Sequence, residues 1–326
     1  MNSFLNLVVG RLLLAGLGAV PLTGALAQDA YPSRPIRLVV PAVPGGSSDS
    51  ISRTLAKVMS EQNGVQVIVD NRPGASGTIG SAAVARMPAD GYSFLLSDGT
   101  IALFPLMATS PYTLEKDLIP LMQVTSTHFV FAVNPKLGVN TMKDFVALAA
   151  RQPGKLTYSS PGNGSLGHLV METIKKRSNV FVLHVPYRGA APALQAVLAQ
   201  EVDIMVTSPA SLKGFVDRGQ LQAIGYTGTA RTPTLPNVPT MTELGFKDTV
   251  LSAWWGIFLP SGVPPAVSEK LTAMITAALR SPEFTRQAAT LSLDVTPIVG
   301  RDFTQKIAQE NAGWKHLIES SKIRLD

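Results

Sequence analysis

Ser165 stands in Asn163-Gly164-Ser165-Leu166-Gly167, one glycine short of the G-x-S-x-G turn that lifts a nucleophilic serine between a strand and a helix. His168 follows three residues later, about one helical turn away, whereas a hydrolase triad draws its base from a distant loop. A secreted serine hydrolase using Ser165 therefore stands as the alternative enzyme reading, with a nucleophile in context and no base. The four histidines (His128, His168, His184 and His316) show no H-x-x-x-H spacing, and there is no cysteine, so neither a metal site nor a thiol nucleophile is expected. His184 follows an apolar run and reads as a satisfied strand histidine. Phosphate chemistry fits no better. G-x-x-x-x-G-K-[ST] is absent, and neither Gly45-Gly46 nor Gly74, Gly77 and Gly80 has the G-x-G-x-x-G spacing, so no cofactor is expected.

What remains is anion capture. Glycine turns that open helices present unpaired N–H groups and the positive end of the helix dipole, which suits a carboxylate. Arg72 and Arg188 stand near such turns. Arg72, before Pro73, reads first as a brace for its loop, and Arg188 equally as a brace or a ligand contact. Asp49 reads as a helix-start residue, and Trp254-Trp255 as core rather than pocket lining.

The elements that must position these turns alternate at short intervals. Strands are expected at 36–40, 65–69 and 92–96, with helices from Ser47 or Ser48 and over 79–86. The alternation resumes with strands at 129–133, 157–159, 180–185, 204–206 and 221–226 and helices at 142–150, 165–176, 190–200 and 212–218. A strand at 254–259 and two amphipathic helices, 265–280 and 301–320, complete the pattern. Two sets of strand–helix units predict two α/β lobes, each a mainly parallel sheet flanked by helices. Ligands of such sheets lie outside the carboxyl ends of the strands. The glycine-bearing loops 41–49, 71–77, 98–100, 160–165 and 187–190 all fall there, which predicts a small ligand between the lobes. Asp98, in the third of these loops, would repel a second carboxylate if it faced the cleft; pointing to solvent is the simpler alternative.

Composition limits the partners. The 326 residues, 45% hydrophobic and 15% charged, can bury an ordinary core without disulfides. The net charge of +6 is scattered, with no basic stripe interleaved with aromatics, so nucleic acid is not an expected partner. Residues 1–27 combine Arg11, an apolar run and Ala25-Leu26-Ala27, the pattern of a cleaved secretory signal, and no later stretch is apolar for long enough to span a bilayer. The product is expected to be a free protein of the periplasm, without a lipid anchor.

The segments YPSRPIRLVVPAVPGGSSDSISRTLA, VIVDNRPGASGTIGSAAVARMPADGYSFLL, YTLEKDLIPLMQV, LTYSSPGNGSLGHL, VPYRGAAPALQAVLAQEVDIM, RTPTLPNVPTMTELGF and WWGIFLPSGVPPAVSEKL resemble, in order, the signatures of the Bug family. These are periplasmic solute receptors of tripartite tricarboxylate transporters. The resemblance implies a non-catalytic, monomeric Venus-flytrap receptor of the periplasmic-binding-protein fold, with two crossover connections. It would close over a small organic acid (a di- or tricarboxylate, an aromatic carboxylate or an amino acid) and deliver it to membrane permease subunits. A receptor feeding a sensor kinase would share the same residues. Lobe one would comprise 28–124 plus 228–326, and lobe two 125–227. Carried over by position, the first-lobe contacts are Val43, Gly45, Gly46, Ser47, Ser48 and Asp49 with Gly74, Ala75, Ser76 and Gly77, joined by Asp98 and Thr100. The second lobe would add Ser160, Gly162, Asn163, Gly164, Ser165 and His168, then Tyr187, Arg188 and Gly189, with Asp203, Thr207 and Ser208. Two positions depart from the family. Ala42 stands where an aromatic is frequent, and Ser76 replaces a frequent glycine.

Overall fold

The apolar run Ile36–Val40 forms β1, buried along almost its whole length as the central strand of a parallel set must be. In the computed structural model, which describes residues 31–323, it opens the first of two sheets. The expected signal segment 1–27 lies outside the described residues. After β1 comes α1 (Ser47–Asn63), with Ile51, Leu55, Val58 and Met59 turned inward and Gly64 ending it in the left-handed conformation. β2 (Val67–Asn71), α2 (Thr78–Ala85), β3 (Ser93–Asp98) and α3 (Thr100–Met107) repeat the unit.

The chain then runs through β4 (Leu118–His128) into β5 (Val130–Val133), which belongs to the second sheet. There α4 (Met142–Arg151) starts on a reciprocal Thr141–Asp144 capping box. β6 (Thr157–Ser160), α5 (Leu166–Ser178), β7 (Leu183–Pro186), α6 (Ala190–Leu198), β8 (Ile204–Thr207), α7 (Pro209–Asp217) and β9 (Gln222–Tyr226) follow. The chain returns to the first sheet as β10 (Ser252–Pro260) and ends with α8 (Pro265–Leu279), α9 (Pro282–Thr290), β11 (Asp294–Val299) and α10 (Arg301–Ser320). Before that return, Leu235 and Val238 pack with Val130, Ala223 and Tyr226 of the second sheet.

The strand orders are β11-β4-β10-β3-β1-β2 and β7-β6-β8-β5-β9. β1 pairs in parallel with β2 and β3, and β6 with β7 and β8; β10 and β11 in the first sheet and β5 in the second pair antiparallel with their neighbours. Both sheets are therefore mixed rather than mainly parallel. The strands that carry the chain between the lobes cause this, because β10 comes back between β3 and β4 and runs against both.

Where the lobes join, Thr227 is fully buried and ties three segments together. Its hydroxyl accepts from the Phe129 N–H (2.8 Å) and donates to the Leu251 carbonyl (2.6 Å), while its own N–H donates to the Phe129 carbonyl (2.9 Å).

Candidate functional site

The first-lobe loops are held by one buried carboxylate. Asp49 accepts from the Gly45 N–H at 3.0 Å, from Arg53 Nε at 2.9 Å and from Asn71 Nδ2 at 3.0 Å. Burial opposes its charge, yet the hydrogen bonds from Arg53, Gly45 and Asn71 outweigh that and hold the carboxyl below the usual carboxylate range. Asn71, the last residue of β2, also donates to the Ala42 carbonyl (3.2 Å) and accepts from Arg53 (3.1 Å), so it joins the first loop to the second. Asp49 thus lies beneath the loop as its organiser. Above it Val43, Gly45, Gly46 and Ser47 are exposed, and half-buried Ser48 accepts from Trp255 Nε1 at 2.9 Å. Arg72 braces its own loop through Asp70 at 2.9 Å.

The second loop turns through four consecutive left-handed residues: Gly74 (φ 124°), Ala75 (45°), Ser76 (53°) and Gly77 (87°). Two of the four carry side chains, and that conformation costs roughly 1–2 kcal/mol for an L-residue. The turn is pressed onto the first loop. A Cβ at Gly80 would lie 2.7 Å from the Arg72 carbonyl and 2.9 Å from Pro41, so α2 approaches this closely only with glycine there. Gly74, Ala75 and Ser76 remain exposed. The structure therefore brings loops 41–49 and 74–77 together. Beside them Asp98, half-buried at the end of β3, accepts from the Thr100 N–H at 3.0 Å. Burial pushes its carboxyl above the usual range against the opposing hydrogen bonds from Thr100.

The second lobe is built differently. Tyr187 N–H donates to the Ser160 carbonyl (2.9 Å) and Gly189 N–H to the Pro161 carbonyl (3.1 Å), which zips loops 160–165 and 186–190 together. Beneath them the rings of Tyr158, His184 and His168 stack in series, with centroids 4.6 and 4.0 Å apart. His168 Nδ1 accepts the Gly164 N–H at 3.0 Å, and His184 Nε2 lies 2.6 Å from Ser160 Oγ, which also accepts from the Gly162 N–H. Burial lowers the basicity of both imidazoles, and for His184, next to His168, the pKa is pushed down to about 4. His184 is thus more than a satisfied strand residue, because it supports the loop through Ser160.

Ser165 Oγ accepts from the His168 N–H at 3.4 Å as the N-cap of α5, and the His168 ring is engaged with Gly164. A capping serine whose neighbouring imidazole holds the loop is not an activated nucleophile. Asn163 and Arg188 are exposed, and among the described residues Arg188 enters no ion pair. Thr207 ends β8, and Ser208 follows it as the N-cap of α7. Asp203 does not join this group. It accepts from the Thr157 N–H (2.8 Å) and hydroxyl (3.0 Å) at the opposite end of β8, about four residues of strand (~13 Å) away.

In each lobe, three helices thus begin at the carboxyl ends of adjacent parallel strands: α1, α2 and α3, and α5, α6 and α7. The two sets meet, since Gly99 and Leu103 of the first lobe and Leu166 of the second wall one recess. Exposed backbone donors at helix N-termini are suited to a small anion. Among the described residues no cluster of three or more His, Asp and Glu side chains could hold a metal ion. Sequence reasoning passed over Asn71, Arg53, Trp255 and His184 as site residues. For Asn71 the signal was its place in the Asn-Arg-Pro-Gly block.

Comparison with known proteins agrees with this geometry. The chain is similar to the protein BugT of Bordetella pertussis, 33% identical over 96% of this chain and 98% of that one. It resembles the structure of the periplasmic binding protein BugD, with 30% identity, a TM-score of 0.76 and coverage of 90% and 99% of the two chains. An R. palustris protein solved with adipate is 28% identical, with a TM-score of 0.80 and the same coverage. The profile described as "Tripartite tricarboxylate transporter family receptor" matches residues 51–323, and the chain belongs to that family of solute receptors.

Proposed function

We propose that this chain is a periplasmic receptor that closes two lobes over a small organic carboxylate and presents it to the permease subunits of a tripartite transporter. The observation that carries the reading is the set of glycine-bearing turns at the N-termini of α1, α2, α5 and α6, all at the carboxyl ends of parallel strands, with the first two turns exposed and Asn163 and Arg188 exposed on the others. The similar protein solved with adipate supports a dicarboxylate. Backbone donors of Val43, Gly46 and Ser47 with those of Gly74, Ala75 and Ser76 form one half of the grip, since the Gly45 N–H is given to Asp49 and the Gly77 N–H to the Gly74 carbonyl; loops 160–165 and 187–189 form the other through the exposed Asn163 and Arg188. Asp49 and His168 act from beneath as positioning residues. The hinge lies at Phe129, Thr227 and Leu251, where the lobes are tied, and residues 1–27 direct export.

Closure excludes water and strengthens the contacts between loop amides and the carboxylate. Thermal unfolding of ligand-free, refolded protein with di- and tricarboxylates, aromatic acids and amino acids tests the reading. A ligand at 100 times its Kd stabilises by ~2.7 kcal/mol. If no organic acid moves the transition, the carboxylate assignment fails.

A further inference from the structure

Behind the loops, a cavity of about 570 Å³ lies between the C-terminal half of α5, the chain crossing at Val250–Ser252 and the last turns of α10. That volume falls within the roughly 300–1,000 Å³ typical of small-molecule pockets. It shares Ser252, Glu310 and Trp314 with the recess walled by Gly99 and Leu166, but no residue of the loops 41–49, 74–77, 160–165 or 187–189 lines it. Thr173, its nearest lining residue on α5, stands eight residues after the Ser165 cap, or ~12 Å along the helix axis.

Its lining is apolar on one side and cationic on the other. Trp314, Leu317, Leu251 and Val250 supply the apolar wall, and Val250 is 46% exposed. Lys176 Nζ contacts only His316 Nδ1 (3.2 Å) and the Ser320 hydroxyl, and no carboxylate pairs with it among the described residues. The charges around it are otherwise matched. Arg177 lies 3.4 Å from Asp248, and Glu310 is taken up by Lys306 and by Trp254 Nε1 at 2.7 Å.

Gly313 adds an independent observation. It sits inside the twenty-residue helix α10, where glycine costs ~1 kcal/mol relative to alanine, yet its φ is not left-handed and a Cβ there would meet nothing within 4 Å. Neither backbone conformation nor packing calls for glycine at this position. Gly313 is exposed and lines the cavity, with open space for a side chain.

We propose that this cavity is a second ligand site, which takes a small organic anion with an apolar body. The anionic group pairs with Lys176, and the body lies against Trp314, Leu317 and the Val250–Leu251 crossing. Because α5 follows a strand of the second sheet and α10 a strand of the first, the occupant touches both lobes, and its affinity is linked to their separation.

The test is calorimetric titration of the full chain with 8-anilinonaphthalene-1-sulfonate, an aromatic sulfonate of this description. One equivalent is expected to bind. Gly313→Phe, which fills the cavity, and Lys176→Glu, which reverses its free charge, should each weaken binding at least about tenfold, as expected for a lost charge-assisted contact. Both variants should keep the circular dichroism of the parent; if Gly313→Phe fails to fold, Lys176→Glu decides. No binding, or unchanged affinity in a folded variant because the probe sits in the cleft, overturns the proposal. So does binding that appears only after residues 324–326 are removed, since the cavity would then belong to the chain's own C-terminus.

Discussion

The two lobes present similar turns on opposite kinds of support. In the first, a charge holds the loop: Asp49 gathers Gly45, Arg53 and Asn71, and their hydrogen bonds hold its carboxyl below the usual carboxylate range. In the second, neutral aromatic rings hold it: His168 and His184 accept or share hydrogen bonds with Gly164 and Ser160, and burial keeps both uncharged. The first support gives up its contribution only below the ordinary carboxylate range, whereas the second begins to lose its contribution as pH falls through the ordinary imidazole range, because protonation there favours the unfolded chain. The difference teaches that the same job, fixing a glycine-bearing turn at the head of a helix, can be done with or without a net charge beneath it, and that acid should separate the two.

The largest effect is expected from Asp49→Ala. Removing the buried carboxylate leaves the Gly45 N–H and Asn71 Nδ2 without that acceptor, at ~1–3 kcal/mol each, while Arg53, more than half exposed, returns to water. Denaturant unfolding should show that loss, and carboxylate binding should fall with it. If affinity is kept in the folded variant, the first-lobe loop does not depend on its charge and the contrast between lobes fails.

Acid comes next. His184 has a folded pKa of about 4, below its ordinary 6.5, so it favours the folded state fully above pH 6.5 and loses that contribution as pH falls toward 4. The shift corresponds to ~3 kcal/mol at most. His168 is lowered as well and acts in the same direction, while Asp49, lowered below its own ordinary value, gives nothing up until pH falls below about 4. Stability measured from pH 7 to 4 should therefore fall, and His184→Phe, which keeps a ring in the stack, should flatten the fall. A His184→Phe profile parallel to the parent's would show that the loss arises elsewhere.

Thr227→Val sharpens the comparison from between the lobes. It removes a buried hydroxyl that both accepts and donates, and leaves the Phe129 N–H without a partner, at ~1–3 kcal/mol, while the Leu251 carbonyl keeps the His128 ring at 3.1 Å. Lowered stability with both loop clusters intact, seen as retained ligand affinity after correction for the folded fraction, would assign Thr227 to the hinge alone.

Much of this was legible in the residues. The strand–glycine–helix junction at 36–63 and the helix at 142–150 declare themselves locally, by apolar spacing and turn chemistry. β4 and α3 did not, because Pro120 and Pro105 interrupt the patterns that would reveal them; Pro120 lies next to an irregularity in the β4–β10 pairing. β2 and β7 begin two and three residues later than their apolar runs suggest, and this places Asn71 at the end of β2 beneath the first loop. The histidine stack was invisible for another reason. Residues 158, 168 and 184 meet only when β6, α5 and β7 pack together, and no local pattern encodes that meeting.

The smallest effect concerns the left-handed turn. Ser76 holds a φ of 53°, next to Ala75 at 45°. Ser76→Gly relieves roughly 1–2 kcal/mol of conformational strain and returns ~0.5–1 kcal/mol through the greater freedom of glycine in the unfolded chain. The net expectation is a gain of about 0.5–1 kcal/mol, read by denaturant unfolding. Binding should move the other way by a few fold, because the freer turn no longer holds its N–H groups ready and ordering them is charged against the ligand. A variant that gained both stability and affinity would show that the strained serine does not preorganise the first-lobe grip. The rigid support would then lie wholly in the Asp49 network beneath it, and the lobes would differ in charge alone.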